Sequence, residues 1–313
     1  MSRAHIYCRS LERAQAYLVS PFMSLWNFTI ADTSPILSYQ PYADGFGLTN
    51  GWQTWYTTSG FNKSPGESGE GVSYHVTSLA GAQVTLQFFG SAIYLYGTSN
   101  ASYEVIFDDT PHSFPSGDDV IYSAEGLLEE NHSVTLISRP TGVNESLTFG
   151  HAIVSSSSSD PKPPVEAFYD NSNSALKYTG RWTNMTVTGI PNATVTAPFH
   201  RALEAGASVT MNFSNAVAIA LYASTNTGHA LYSVSIDNVV PQVYNASTFW
   251  LVANTVIFFQ SGLDPGRMHT LNATNMSGGG QNFTLSSVIL YQVDAPISSS
   301  NQTAPSGSNS PNS

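Results

Sequence analysis

A set of sequence blocks occurs twice, in the same order, and each block alternates apolar and polar residues. Gly81-Ala82-Gln83-Val84-Thr85-Leu86-Gln87-Phe88 is matched by Gly206-Ala207-Ser208-Val209-Thr210-Met211-Asn212-Phe213. Ile93-Tyr94-Leu95-Tyr96 is matched by Ile219-Ala220-Leu221-Tyr222, and the run from Tyr103 to Asp108 by that from Tyr232 to Asp237. An acidic turn leads into each series, Asp32…Tyr39 or Asp170…Tyr178, and a tryptophan follows it, Trp52 or Trp182. Gly126-Leu127…His132 and Gly262-Leu263…His269 close the two series. One match would mean little, but an ordered set at offsets near 125–137 residues reads as an internal duplication. Alternation at period two marks half-buried strands, because successive side chains leave a strand on opposite faces. No convincing 3.6-residue periodicity competes with it. Turn residues such as Gly97-Thr98-Ser99-Asn100 and Asp108-Asp109 separate the short runs. The sequence therefore predicts an all-β chain of two tandem jelly-roll β-sandwich domains.

Composition places the boundaries. Residues 1–26 read as a leader or poorly ordered N-terminus, 27–154 as the first domain and 166–294 as the second. Between them, 155–165 carries Ser155-Ser156-Ser157-Ser158-Ser159-Asp160-Pro161-Lys162-Pro163-Pro164, a polar and proline-rich linker. Residues 295–313 are a Ser/Asn/Pro-rich tail, disordered or the start of a stalk. Domains of about 130 residues bury enough surface to fold without staples. Cys8 is the lone cysteine, so no intrachain disulfide is available. Ahead of residue 27, Arg3 to Arg13 precede a short apolar stretch interrupted by Gln15, an atypical signal peptide. No run of about 20 apolar residues offers a membrane helix, and the longest candidate, Ala216 to Ala223, has strand length.

Charged residues make up only 10% of the chain while hydrophobic residues make up 41%. Solubility must then come from hydroxyls, amides and attached sugars. Thirteen Asn-x-Ser/Thr triplets support that reading, at Asn27, Asn62, Asn100, Asn131, Asn144, Asn184, Asn192, Asn212, Asn245, Asn272, Asn275, Asn282 and Asn301. They predict an extracellular or cell-surface glycoprotein. A net charge of −11 and the absence of any Lys/Arg cluster exclude nucleic acid, whose phosphates require a positive surface. Expected partners are glycans or cell-wall and surface proteins.

The acidic turn, the Tyr, the Trp, Gly-Ala-x-Val-Thr-x-x-Phe, the four-residue strand ending in Tyr and the strand ending in Asp together resemble the galactose-binding-like jelly roll. In tandem, over roughly residues 28–294, they resemble the paired ectodomains of single-pass surface proteins of mushroom-forming fungi. The resemblance implies fold and surface location rather than an activity. Such ectodomains usually continue past a Ser/Pro stretch into a membrane helix. Membrane attachment is therefore expected only if a longer gene product carries a helix after residue 313.

No chemistry-bearing motif stands out. The eight histidines have no zinc-site spacing. Gly66-Glu67-Ser68-Gly69 lacks the second glycine of a nucleophile elbow. His132 and His269 recur at strand starts, which favours a structural role. Asp108, Asp109, Asp118 and Asp119 flank a Pro/Gly/Ser loop and are the candidate ligands for a structural calcium ion, the single cofactor considered. Sugar contact by a β-sandwich relies on aromatic faces flanked by amides and carboxylates. Trp52 and Trp182 match across the repeat and are assigned to the cores. Trp55, Tyr56 and Trp250 have no counterpart and are the carbohydrate-contact candidates. Three functions remain: a non-catalytic glycan-binding ectodomain, a glycosylated spacer or adhesion module, and a glycan-active hydrolase. The first is preferred, because no nucleophile–base or carboxylate pair can be singled out.

Overall fold

A computed structural model describes residues 24–62, 64–158, 161–192 and 195–293. Every regular element among them is a strand. In the first half a seven-stranded sheet runs in the order Gly117–Ala124, Ala92–Ser99, Leu147–Ser158, Ser73–Thr77, Gln53–Tyr56 and Gly60–Phe61, with Ser24–Ala31 also paired to Leu147–Ser158. A five-stranded sheet runs Thr110–Phe114, Ser102–Phe107, Glu130–Arg139, Gln83–Gly90, Ser38–Gln40. The second half repeats this latter order with Gln242–Asn245, Leu231–Ile236, His269–Asn275, Ser208–Phe213 and Lys177–Thr179. Its other face is built from Val165–Asp170, Ser287–Gln292, Ala216–Thr225 and Trp250–Ser261, with Trp182–Met185, Phe199–Ala202 and Phe283–Leu285 as a separate three-stranded sheet.

The alternation read from sequence sets which face is buried. Val84, Leu86 and Phe88 point inward from Gln83–Gly90 and meet Val134 and Leu136 across the ladder. Ile93, Leu95, Leu147 and Phe149 close the same core from the other sheet. Val209, Met211, Val234 and Leu271 face Ile219, Leu221, Ile257 and Leu290 in the second half. Each half is thus a sandwich, and Trp52 is fully buried in its core as expected. Trp182 is only half-buried, packed on the edge of its own.

Two boundaries differ from the expectation. Ser24–Ala31 is already a strand, so the first domain starts before residue 27. The serine run assigned to the linker is likewise in a sheet as far as Ser158, in register with Ser24 to Asn27. Its hydroxyls are used locally: Ser155 Oγ donates to Asn27 Oδ1 at 2.7 Å, Ser156 Oγ to the Phe89 carbonyl at 3.2 Å, and Ser157 Oγ to Glu129 Oε2 at 2.9 Å. A polar run reads as linker because hydroxyls solvate well, but here the backbone pairing and small side chains suit a crowded strand. The rest of the expected leader, Ser159 and Asp160 of the linker, and the tail lie outside the described residues.

The halves are not beads on a flexible string. Phe28 stacks on Phe259 at 3.7 Å and Trp26 on Tyr291 at 4.9 Å. Ser34 Oγ donates to the Val256 carbonyl at 2.5 Å, the Phe249 amide to Asp44 Oδ2 at 2.8 Å, and the Gly66 amide to the Phe249 carbonyl at 2.7 Å. Glu67–Ser68 of the first half even pairs in parallel with Trp250 and Leu251 of the second. The apolar run Ala216 to Ala223 shows why: Ile219 and Leu221 face the second core, while Val217, Ala218 and Ala220 join the first. A strand covered on both faces needs no polar positions. Gly262, at φ +74°, completes the contact, since a Cβ there would lie 2.6 Å from the Phe89 ring.

Phe259→Ala is therefore expected to cost about 3 kcal/mol, the lower end of the penalty for emptying a large aromatic site, because its ring is only partly buried. Calorimetry should show one cooperative transition for the wild-type chain. Two separate transitions would mean that the halves unfold independently.

Candidate functional site

A cleft of about 1580 Å³ lies between the halves. On one side it is lined by Thr85, Gln87, Asn131 and Ser133, residues at the outward positions of Gln83–Gly90 and Glu130–Arg139. On the other it is lined by the hairpin of Leu231–Ile236 and Gln242–Asn245. The outward positions of Gln83–Gly90 and Glu130–Arg139 carry hydroxyls and amides because alternation sends their apolar partners to the core, whereas the hairpin also exposes Leu231 and Val243. Thr85 and Thr135 share a hydrogen bond at 2.8 Å, and Gln83 donates to Gln40 at 2.7 Å. Two tyrosines add ring surface. Tyr42 is 36% exposed, and its ring lies so close to Gly45 and Gly51 that a Cβ at either would come within 2.2 or 2.7 Å. Tyr244 stacks on Tyr232 at 5.5 Å. Burial raises the Tyr244 hydroxyl well above the ordinary phenol range, so it stays a neutral donor.

Two of the three aromatic candidates are not at the surface. Tyr56 is 7% and Trp250 2% exposed, their rings edge-to-face at 4.8 Å, and Trp250 Nε1 donates to the Thr54 carbonyl at 3.3 Å. They lack repeat counterparts because they belong to the contact between the halves, which occurs once. Trp55 is half-buried and tilted against Tyr74 at 5.9 Å, and it is not among the cleft residues.

The four aspartates do not converge. Asp108 and Asp109 form the turn joining Ser102–Phe107 to Thr110–Phe114, whereas Asp118 and Asp119 pair with Thr98 and Gly97 in the other sheet. Among the described residues no three His, Cys, Asp or Glu side chains are placed to hold a metal. Asp108 is committed elsewhere. Its Oδ2 meets His132 Nδ1 at 2.6 Å and its Oδ1 accepts the Ser133 amide at 2.8 Å, while His132 Nε2 meets the Leu128 carbonyl at 2.9 Å. The second half repeats the brace: His269 Nδ1 to Asp237 Oδ2 at 2.7 Å, Thr270 amide to Asp237 Oδ1 at 2.8 Å, and His269 Nε2 to the Asp264 carbonyl at 2.8 Å. Both turns hold two consecutive residues at positive φ, Asp108-Asp109 and Asp237-Asn238. Asp and Asn tolerate that region best. The structural role read for the two histidines therefore has its geometry.

A further His-centred pair was not legible as such. His75 Nδ1 meets Asp32 Oδ2 at 2.7 Å, its Nε2 meets Thr54 Oγ1 at 3.2 Å, and its ring stacks on Tyr39 at 4.3 Å. In the second half His200 Nδ1 meets Asn171 Oδ1 at 2.7 Å and stacks on Tyr178 at 4.2 Å. Tyr39 donates to the Asp32 carbonyl at 2.7 Å, and Tyr178 to the Asn171 carbonyl at 2.6 Å. The true counterpart of Asp32 is thus Asn171, one residue beyond the aspartate used in the sequence match. Seven residues separate Asp32 from Tyr39 and Asn171 from Tyr178, and that spacing is the signal that identifies it. Thr54 faces His75 in register, as Asn184 faces His200. Asp32, His75 and Thr54 have the order of a proton relay, but all three are at least 97% buried. The same ring geometry stands on an amide in the second half, as expected of a packing brace.

The triplets divide by burial. Asn62 (5% exposed) donates to the Phe249 carbonyl at 3.3 Å, and Asn275 (0%) to the Glu204 carbonyl at 3.1 Å, so neither presents its amide to solvent. Both were expected to carry sugars; the fold uses them as buried donors instead. Asn27, Asn100, Asn131, Asn144, Asn184, Asn212 and Asn245 are exposed, and Asn272 and Asn282 are partly so. The Asn192 side chain and Asn301 lie outside the described residues.

The His132 brace makes stability depend on pH. Burial alone would lower the His132 pKa, but the Leu128 carbonyl and the Asp108 carboxylate raise it overall. Burial would raise the Asp108 pKa, but the Ser133 amide and His132 hold it below the usual range. His132 therefore contributes fully below its unfolded pKa and loses its contribution as pH rises through the higher folded value. Asp108 contributes above its unfolded pKa and loses its contribution as pH falls through the lower folded value. Asp108→Asn should cost on the order of 1 kcal/mol between these limits. Denaturation at pH 5.5 and pH 8.5 checks it; the same loss at both pH values would contradict a charged His132–Asp108 pair.

No protein-family model matches the sequence, and no curated protein matches it. Among solved structures the chain is similar to a family two carbohydrate esterase from Cellvibrio japonicus, at 14% identity and TM-score 0.30 over 42% of this chain and 34% of that one. It thus spans about a third of the esterase. The ANXUR2 extracellular domain of Arabidopsis thaliana matches at 9% identity and TM-score 0.25, over 87% of this chain and 97% of that one. A tandem CBM22 domain from Paenibacillus barcinonensis Xyn10C matches at 9% identity and TM-score 0.24, over 77% of this chain and 91% of that one.

Proposed function

We propose that this chain is a non-catalytic extracellular ectodomain that binds a neutral glycan in the cleft between its halves. The cleft carries the reading. Its volume, about 1580 Å³, exceeds that of a small-molecule pocket and suits an oligosaccharide. Thr85, Gln87 and Ser133 offer hydroxyl and amide groups that match sugar hydroxyls as donors and acceptors. Tyr42 and Tyr244 supply ring surface for the apolar faces of a pyranose. Low charge favours a neutral ligand over a polyanion. The exposed triplets and the absence, among the described residues, of a helix able to cross a membrane accord with a secreted or surface-displayed chain.

Glycan-array binding by the full chain, produced in a host without N-glycosylation, tests this. Binding to a defined oligosaccharide should fall at least tenfold in Tyr42→Ala and Gln87→Ala and be unchanged in Trp55→Ala. A well-folded sample that binds no glycan overturns the reading and leaves the spacer role.

The Asp32–His75–Thr54 order favours a second reading, hydrolysis of a glycan ester. Asp32→Asn places in the first half the amide that the second half already has, so the fold should survive it. Esterase activity in the wild type that is lost in Asp32→Asn would support catalysis; equal activity in the two proteins would exclude this relay.

A further inference from the structure

Asn131 and Asn245 line the same cleft from different halves. Asn131 belongs to Glu130–Arg139 and Asn245 to Gln242–Asn245. Each opens a glycosylation triplet, Asn131-His132-Ser133 and Asn245-Ala246-Ser247, and each is exposed. Among the described residues the Asn131 side chain makes no hydrogen bond. Asn245 Oδ1 accepts the Ser247 amide at 3.0 Å, which leaves its Nδ2, the atom that would carry a sugar, unengaged. Asn100, Asn144, Asn184 and Asn212 are also exposed, but none of them lines the cleft.

We propose that N-glycans on Asn131 and Asn245 occupy the cleft and are its resident ligand, competing with any free glycan. This rests on reading the cleft as a glycan site. Attachment joins Nδ2 to C1 of the first sugar of a polyprenyl-diphosphate-linked oligosaccharide. The C1–O bond breaks, the diphosphate leaves with the electron pair, and one amide proton is released. A sugar tethered beside its site has an effective concentration in the millimolar range, so a site of only millimolar intrinsic affinity is already substantially filled. Protein–glycan contacts made of hydroxyls and two tyrosine rings need be no stronger than that. Free glycan must then displace a ligand that never diffuses away.

The test uses the full chain secreted from a glycosylating host. Site-resolved mass spectrometry should find sugars at Asn131 and Asn245. Endoglycosidase acting on the native protein should trim them at least tenfold more slowly than at Asn144, with the protection lost in denaturant. Bare asparagines at both positions, or trimming at the Asn144 rate, would overturn the proposal. In parallel, Asn131→Gln/Asn245→Gln should bind the oligosaccharide identified on the array at least tenfold more tightly than the glycosylated wild type. The wild-type chain produced in a host without N-glycosylation lacks the same sugars while keeping every cleft side chain, and guards against a folding or binding defect in the variant. Equal binding by the glycosylated wild type, the unglycosylated wild type and the variant would overturn the competition. If the unglycosylated chain binds no glycan, the functional reading fails on that result alone, whereas the trimming rates still decide whether the chain's own sugars fill the cleft.

Discussion

The stack of Phe28 on Phe259, at 3.7 Å, sits within the interaction on which the rest of this structure depends. It forms because Trp250–Ser261 and Ala216–Thr225 present apolar side chains on both faces, one to their own core and one to the other half. Ala218 and Ala220 keep the second face shallow, so the first half can approach closely. Large buried rings then contribute most of the attraction, while the Ser34, Asp44 and Gly66 hydrogen bonds fix the register. A cleft between two domains has a useful shape only if the domains hold one position. The aromatic contact supplies that position.

Much of the fold was readable because it rests on local periodicity. Val84, Leu86 and Phe88 alternate with Thr85 and Gln87 in the sequence, and the same alternation separates core from cleft in space. What was not readable depends on which surfaces meet. Trp250 is an aromatic residue without a repeat counterpart, which is equally consistent with an exposed platform and with a contact that occurs once. Only its partners, Tyr56 and the Thr54 carbonyl, decide between them. Ser155 to Ser158 failed for the same reason: nothing local distinguishes a serine linker from a serine strand whose neighbours supply the pairing. Asp108, Asp109, Asp118 and Asp119 are close in sequence, yet two sheets carry them apart.

The two halves share their packing braces but not all of their polar groups. The His132–Asp108 and His269–Asp237 braces keep the same bonds and the same turn geometry, so whatever selects them acts on both halves. The His75 and His200 sites keep the ring, the tyrosine stack and the Nδ1 contact, yet differ in the carboxylate and the hydroxyl. Features shared by both sites are sufficient to hold a histidine in a sandwich edge. The carboxylate of Asp32 and the hydroxyl of Thr54 exceed that requirement, and both residues line the cleft. Divergence between the halves thus falls on the side where they meet.

The same asymmetry bears on the cleft's occupant. The cleft wall formed by Thr85, Gln87, Asn131 and Ser133 is well hydrated, and burying it between two domains without a partner would leave polar groups unsatisfied, while Leu231 and Val243 face it from the other half. The halves therefore cannot close over it as they close over Phe28 and Phe259. A ligand rich in hydroxyls, as proposed, would return the hydrogen bonds that water gives up along that wall. A chain with exposed Asn131 on one side of that surface and exposed Asn245 on the other needs no outside source for such a ligand. The low charge of the sequence, the open cleft and the placement of these two triplets then have a single physical account. On the proposed reading, sugar takes the place that charged side chains would hold in a more ordinary interface.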